Sequence, residues 1–408
     1  MRNINYRGKK AICSICVIVA LWSLCMYAAT LPPDPDNAAL LYYQAFLLLP
    51  DPNMNLINPV LDGAEPDEKV REYIEDAHEA IELAEAAAKI LDCTWGIVYS
   101  QGLGANLPQL VQCRYLTNIL NVEARILTSD GDYRAALEKC LTIRRLAQHI
   151  GNDTLLSYML SLMVDTIAQN CIKDILGIMP PDADTLTWLK GRLAASQDML
   201  LSLTRALEMD LELTLQSMRS DTDGLVWLRE QLIEHDEGKN GEYIWSLTDE
   251  ELLALISEPY ADFLNYALRV IDSEMSYEEK YTELQRLIDE LKDEFGSVPG
   301  TKLLVLPLAP KLIEFYSVQV RHTTQLHALK AAIEIYISTA NTGQLPDTLP
   351  DYLPKDPFSS QDFQYEITEK GFVLRCRAKD IFASQALQPF GTDPYVVHEY
   401  EFELQMQD

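Results

Sequence analysis

Basic residues are scarce in this 408-residue chain, in which 33 Lys and Arg face 62 Asp and Glu and leave a net charge of -29. Such a chain repels phosphate backbones, which argues against a nucleic-acid partner. Disorder and a polytopic membrane fold are also poor fits, because 48% of the residues are hydrophobic and 23% are charged. The length is enough for roughly two or three domains.

Cysteine and histidine are present, but their spacings do not indicate a metal or redox site. Three of the eight cysteines fall in residues 1–30, and the other five contain no Cys-x-x-Cys pair: Cys93, Cys113, Cys140, Cys171 and Cys376. Their odd number and their spacing do not indicate a disulfide framework. The six histidines form no His-Glu-x-x-His motif.

Common signatures of catalysis are missing from the sequence. It has no Gly-x-Ser-x-Gly elbow, no P-loop and no Gly-x-Gly-x-x-Gly turn. Glu75 and His78 have the spacing of a di-iron ligand pair, but the second copy that such a site needs is absent. An EF-hand-like stretch places Arg219 where the first carboxylate belongs. The sequence therefore assigns no catalytic, cofactor-binding or metal-ligating residue, and no cofactor is expected.

The amino terminus has the pattern of a membrane segment. Arg2, Arg7, Lys9 and Lys10 precede an uncharged run from Ala11 to Ala29. As a helix, this run would be about 28 Å long, close to the thickness of the hydrocarbon core of a bilayer. Because basic flanks stay in the cytoplasm, we expect a single-pass inner-membrane protein whose body is periplasmic or extracellular. Both a cleaved signal peptide and an uncleaved anchor fit the pattern, and the length of the run favours the signal-anchor.

Residues 31–296 have the periodicity of an all-α domain of helical hairpins. Apolar residues recur at steps of three and four, with short connections between the segments. Helices are predicted at about 38–49, 66–91, 107–128, 132–149, 152–177, 182–219, 223–236, 248–272 and 276–296. Asn37 is the predicted N-cap of the first helix, and Ser276 and Glu279 form a capping box at the start of the last.

One pair of these helices resembles a tetratricopeptide-type hairpin. The match covers Asn121–Gly151 and rests on Gly131-Asp132-Tyr133 at the turn, followed by Ala136-Leu137. Stable repeat arrays need about three copies, and no second copy stands out. An ordinary helical hairpin within a larger bundle explains the segment equally well.

The period changes after a Gly- and Pro-rich segment at 296–310, which reads as a domain boundary. A long helix is predicted from about Lys311 to Asn341. Alternating apolar residues then predict an antiparallel sheet with strands near 363–367, 372–376 and 396–404, a turn at Glu369-Lys370-Gly371, and Glu399, Glu401 and Glu403 facing outwards. The predicted domains are thus a membrane helix at 1–30, a helical domain at 31–296 and a small α+β module at 297–408.

The stretch from His327 to Lys379 resembles the carboxy-terminal half of type II secretion major pseudopilins. It contains the end of the long helix, then Gly343-Gln-Leu-Pro346, Leu353-Pro-Lys-Asp-Pro357 and two strands in the family's order. The resemblance implies a long helix packed on an antiparallel sheet. Only Asp380 matches the calcium loop of that family, so no calcium ligand is implied.

Together these features favour a membrane-anchored, exported helical protein with a non-catalytic interaction or scaffold role in the bacterial envelope. Its expected partners are the membrane, through the amino-terminal helix, and other envelope proteins. Two alternatives are a pilin-like accessory of a secretion system and an exported hydrolase without a recognisable motif.

Overall fold

The computed structural model describes residues 35–151, 154–195, 203–220, 222–235, 240–294, 299–380 and 397–404, with side chains placed except at 222, 235, 291–294 and 299–311. Residues Asn37–Asp408 form one compact unit, to which the description below applies. The predicted membrane run lies outside the described residues. The fold is mostly helical, with a small three-stranded antiparallel sheet near the carboxyl terminus.

Six helices and one 3-10 turn make up the first part of the unit. The helices are α1 (Ala38–Leu48), α2 (Met54–Leu61), α3 (Glu68–Glu75), α4 (His78–Ala88), α5 (Pro108–Ser129) and α6 (Tyr133–Ile150), with the 3-10 turn at Tyr99–Gly104. Their apolar faces share one hydrophobic cluster that includes Tyr42, Ile81, Leu116 and Ile143.

Eight further helices follow. They are α7 (Leu155–Ile178), α8 (Ala183–Ala195), α9 (Leu203–Ser220), α10 (Thr222–His235), α11 (Gly241–Ser246), α12 (Asp249–Ile271), α13 (Tyr277–Glu294) and α14 (Pro299–Thr342). Helix α14 packs against α7, α8, α10, α12 and α13, and so connects most of this second part.

The sheet has the order β1 (Gln364–Thr368), β2 (Gly371–Arg375) and β3 (Glu399–Glu403), with antiparallel pairing throughout. Thr368 pairs with Gly371, which confirms the predicted turn, and Phe372 pairs with Phe402. Phe372 and Phe402 are buried while Glu399, Glu401 and Glu403 are exposed, so the predicted inner and outer faces are confirmed for this part of the sheet. Val396 lies outside the described residues.

The largest hydrophobic core crosses the predicted division at residue 296. Leu189 of α8 and Phe263 of α12 belong to the same cluster as Leu329 of α14 and Phe372 of β2. Both predicted ranges, 31–296 and 297–408, therefore contribute side chains to one continuous core.

Several predicted helices differ from those observed. The segment predicted as one helix at 66–91 is broken at Asp76–Ala77 into α3 and α4, and the segment 182–219 contains both α8 and α9. Helix α2 was not predicted, because its eight residues follow Pro50-Asp51-Pro52 and include Pro59. Helix α14 begins at Pro299 instead of Lys311, so most of the proline-rich segment is helical. A proline removes only its own backbone donor, and a helix can continue past it at a cost.

Predictions based on capping are confirmed. The Asn37 side chain accepts a hydrogen bond from the Ala39 amide at 3.1 Å. Glu279 accepts from the Ser276 amide at 2.8 Å, and the Glu279 amide donates back to Ser276 Oγ at 3.3 Å. The two helices of the predicted hairpin, α5 and α6, meet at Gly131, whose φ of 82° suits glycine.

Among the described helices, Leu155–Ile178 is long and apolar enough to cross a membrane by length and composition, and 56% of its most apolar window is buried inside the protein.

Candidate functional site

A cleft of about 310 Å³ lies between α4, α6 and α8. Its lining is strongly basic for a chain with a net charge of -29. Four cations and two acids contribute to it: Lys89, Arg144, Arg145, Arg192, Glu85 and Glu138. Lys139 Nζ lies 2.6 Å from Glu85 and 3.1 Å from Glu123, and the 1% exposed Arg144 pairs with Asp165. At the surface of the cleft, Lys89, Arg145 and Arg192 thus face Glu85 and Glu138. The cleft therefore presents an excess of positive charge, which we call the basic cleft.

The basic side chains are held in place by neighbouring groups. Arg145 donates to Gln148 Oε1 at 2.8 Å and to the Ile90 carbonyl at 3.2 Å. The Arg192 guanidinium lies 5.8 Å from the centre of the Trp188 ring, within the range of a cation–π contact. Lys89 is exposed at the end of α4. The cleft thus combines two arginines that are held by neighbouring groups with an exposed lysine at its rim.

Arg144 leads from the basic cleft to a buried charge cluster. Its side chain is 1% exposed, and Nη1 lies 3.2 Å from Asp165 Oδ2. The same carboxylate oxygen lies 2.7 Å from His322 Nε2 and accepts from Gln169 Nε2 at 2.8 Å. Helices α6, α7 and α14 each contribute to this cluster, which joins elements that are far apart in sequence.

The electrostatics of the cluster favour an ionised Asp165. Burial alone raises the pKa of this carboxyl group, but Arg144 and His322 outweigh burial, so its pKa lies below the usual value. For Lys330 the surroundings instead disfavour the charged form. Its burial and the repulsion from Arg144 lower the pKa of its amine to about 8. Lys330 lines a second cleft, between α8 and α14, of about 190 Å³.

The geometry favours a structural role for Asp165 and His322. Their side chains are 5% and 3% exposed, so bulk solvent does not reach them. Within the described structure, Asp165 Oδ1 and Gln169 Oε1 have no hydrogen-bond partner. Buried charges that are paired across elements fix the relative positions of those elements, and this is what the cluster does for α6, α7 and α14.

A second buried carboxylate lies beside the sheet. Asp380 is fully buried, accepts from Tyr277 Oη at 3.0 Å and lies 3.0 Å from His398 Nε2. Arg321 Nε also donates to it. Burial raises the pKa of Asp380, but His398 and Arg321 outweigh burial and leave the pKa below its ordinary value. The one residue that matches the pseudopilin calcium loop therefore faces two basic side chains.

The other residues considered from the sequence do not form a site in the described structure. Glu75 ends α3 while His78 begins α4, and His78 instead lies 3.4 Å from the exposed Glu82. Arg219 lies 3.2 Å from Glu212. Across the described part of the chain, no group of three or more His, Cys, Asp or Glu side chains could hold a metal ion. Within the described residues, the five cysteines named above form no disulfide bond.

Sequence reasoning missed both the basic cleft and the buried cluster. A signal for the cluster was present, since Asp165 is the only charged residue among the first 18 of helix α7. The basic cleft has no local signature, because its cations come from three helices that the fold brings together.

No family model, curated protein or solved structure matches the chain.

Proposed function

We propose that the protein is a membrane-anchored component of the bacterial envelope, and that its basic cleft binds an acidic segment of a partner protein. The observation that carries the proposal is the concentration of Lys89, Arg145 and Arg192 around one concave surface. Opposite charges at such a surface increase both the rate and the specificity of association.

The charge of the rest of the chain supports a protein partner over a nucleic acid. Outside residues 1–30, 29 basic residues face 62 acidic ones, which is a net charge of -33. A long polyanion would extend beyond the cleft and meet this acidic surface. A short acidic segment needs to satisfy only the cleft, whose volume of about 310 Å³ accommodates a few side chains.

The arrangement of charges also supports a non-catalytic role. The described lining of the cleft carries Lys89, Arg145 and Arg192 beside the carboxylates Glu85 and Glu138 and contains no histidine. The acid–base pair Asp165–His322 beneath them is only 5% and 3% exposed. General acid–base chemistry requires such groups within hydrogen-bonding reach of the substrate.

Binding is tested with full-length protein in detergent and a fluorescent decaglutamate peptide, using decalysine as the charge control. We expect decaglutamate to bind, with an affinity that falls as salt is added. Arg192→Glu should weaken binding about tenfold or more, since one favourable contact becomes repulsive. The matched variant Lys69→Glu makes the same change in net charge at an exposed position of α3, and it should alter the affinity less than about twofold.

Equal effects of Arg192→Glu and Lys69→Glu would show that only overall charge matters, and would contradict binding in the cleft. Anchoring is tested separately by carbonate washing of membranes and by protease treatment of spheroplasts. We expect the protein to stay in the washed membranes and its body to be cleaved from outside. Release by carbonate would contradict the anchor.

A pilin-like accessory of a secretion system is the second candidate, because α14 packs on the sheet as the resemblance implies. The Tyr336 and Phe372 rings of α14 and β2 are 5.6 Å apart, and Tyr336 Oη donates to the Glu403 carbonyl of β3. Pseudopilins are processed after a glycine that precedes their apolar run, and Gly8 occupies that position here, so this candidate requires processing after Gly8. Mass spectrometry of the purified mature chain tests it, and retention of Met1–Gly8 would exclude it.

A further inference from the structure

Helix α1 exposes an apolar face that nothing in the described structure covers. Its sequence, Ala38–Leu48, contains no charged residue. Leu40 is 50% exposed, Leu47 86% and Leu48 43%, while Tyr43 is 36% exposed. These four residues lie at helical spacings of three, four and one, so they share one side of the helix with Gln44 as its one polar member. We call this side the α1 face.

The opposite side of α1 is packed inside the protein. Ala38, Ala39, Tyr42 and Ala45 are buried and the helix packs on α4. An ordinary surface helix turns polar residues to the solvent once its apolar stripe is buried. The α1 face does not follow this rule, and contiguous exposed apolar surface of this kind marks a contact with another apolar phase.

Several hydrogen bonds hold the α1 face in a fixed position. The Ala38 amide donates to the Asp92 carbonyl at 2.9 Å, and Asn37 caps the helix. Tyr43 Oη donates to the Trp95 carbonyl at 2.9 Å. Beyond the other end of the helix, the Pro50 carbonyl accepts from Tyr115 Oη at 3.0 Å. The exposed leucines therefore belong to a helix that is held on both sides.

The chain that precedes α1 identifies what covers this face. The uncharged run ends at Ala29 and α1 begins at Ala38, so only residues 30–37 separate them. Eight residues span at most about 28 Å when fully extended. If the run is the membrane anchor, the start of α1 stays within that distance of the bilayer, and the helix itself adds about 16 Å.

We infer that the α1 face lies in the interfacial region of the bilayer, with Leu40, Leu47 and Leu48 inserted among the acyl chains and Tyr43 at headgroup level. The inference rests on the proposed anchoring. A bilayer accepts an uncharged apolar face without a complementary groove, and tyrosine is enriched at membrane interfaces. A second contact near the anchor would fix the orientation of the body on the membrane.

Brominated lipids test the contact in the full-length protein. The variant Leu47→Trp is reconstituted into phosphatidylcholine vesicles with or without bromine on the acyl chains, and wild-type fluorescence is subtracted. The matched variant Ile367→Trp replaces an apolar residue of the sheet that is 49% exposed. We expect bromine to quench at least half of the fluorescence added by Leu47→Trp and almost none of that added by Ile367→Trp.

Flotation of the vesicles tests the anchoring separately from the lipid contact of the α1 face. If the wild-type chain does not float with the vesicles, the proposed anchoring fails and the inference fails with it. If the chain floats but bromine quenches both added tryptophans equally, the anchor stands and the α1 face does not contact lipid. Leu47→Glu supplies an independent measurement, since it should increase hydrogen exchange in the adjoining peptide only in the presence of vesicles.

Discussion

Asp165 receives three side chains from three helices, and its environment shows how a buried charge is tolerated. Its Oδ2 atom lies 3.2 Å from Arg144 Nη1 and 2.7 Å from His322 Nε2, while Gln169 donates at 2.8 Å. Removing such a charge leaves its partner buried and uncompensated, which costs more than the pair itself contributes.

We therefore expect Asp165→Asn to lower the free energy of unfolding by about 3–5 kcal/mol, as for other broken buried pairs. The measurement is urea denaturation followed by circular dichroism. Asp174→Asn is the matched control, because Asp174 forms an exposed pair with Arg125 at 3.1 Å. Its loss should cost at most about 1 kcal/mol. Similar costs for both variants would contradict a specific role for the buried cluster.

His149 makes the stability depend on pH. Its imidazole is 1% exposed, its Nδ1 lies 3.0 Å from Tyr42 Oη, and burial together with the nearby Arg145 lowers its pKa to about 4. In the unfolded chain the pKa of histidine is about 6.5. Between these values the unfolded state binds more protons, so the contribution of His149 is complete above about pH 6.5 and is lost as the pH falls towards 4.

This contribution predicts that wild type loses about 3 kcal/mol more stability than His149→Gln between pH 6.5 and 4. Urea denaturation at several pH values measures the two slopes, and subtracting the stability of the variant from that of wild type at each pH removes the effect of other groups. His78→Gln changes an exposed histidine of α4 and should keep the wild-type slope. A parallel pair of curves for wild type and His149→Gln would be inconsistent with this assignment.

At the scale of the element, hydrophobic periodicity predicted most helices well. It failed where a tertiary contact determines the local conformation. Helices α5, α6, α12 and α13 were predicted within a few residues, because their apolar residues recur at helical spacing. Their starts are also signalled, by Pro108 in α5 and by a capping side chain in the other three. The break at Asp76–Ala77 has no glycine or proline to signal it. The 3-10 turn at Tyr99–Gly104 lies between the helices predicted at 66–91 and 107–128, and it packs against α9.

Gly102 allows this turn to approach α9 closely. Its φ is 58°, and a Cβ atom there would lie 2.6 Å from the Ser217 amide nitrogen and 2.9 Å from the Leu213 carbonyl oxygen. Because both neighbours are backbone atoms, they cannot rotate away. We expect Gly102→Ala to lower the free energy of unfolding by about 2 kcal/mol or more.

Gly191→Ala is the matched control for that substitution. Gly191 lies within α8, and nothing lies within 4 Å of an added Cβ atom. Alanine should stabilise the helix by up to about 1 kcal/mol. Thermal unfolding of the two variants should therefore shift in opposite directions, and a shift of Gly102→Ala in the stabilising direction would exclude close packing of the turn on α9.

At the scale of the whole molecule, α14 connects parts of the chain that the sequence separates. The sequence divides at 296–310 by composition, but Leu329 and Ile333 of α14 belong to the core that also contains residues of α7, α8 and α12. Lys190 of α8 also pairs with Glu334 of α14. Composition does not identify these contacts, because those of α14 with α7 and α8 join residues more than 100 positions apart. Hydrophobic periodicity indicates which face of a helix is buried, but it does not indicate which element packs against that face.

This packing predicts that a fragment of residues 31–296 does not fold by itself. Without α14, the apolar faces of α7, α8 and α12 would be exposed, and Asp165 would lose His322 as a partner. We expect the fragment to keep much of its helical circular dichroism, to bind a hydrophobic dye and to unfold without a sharp transition. The control is the fragment 31–408, which lacks only the predicted membrane segment and should unfold cooperatively. A sharp transition for 31–296 within a few degrees of that for 31–408 would show that the division read from composition is a true domain boundary, with α14 added to a core that is already complete.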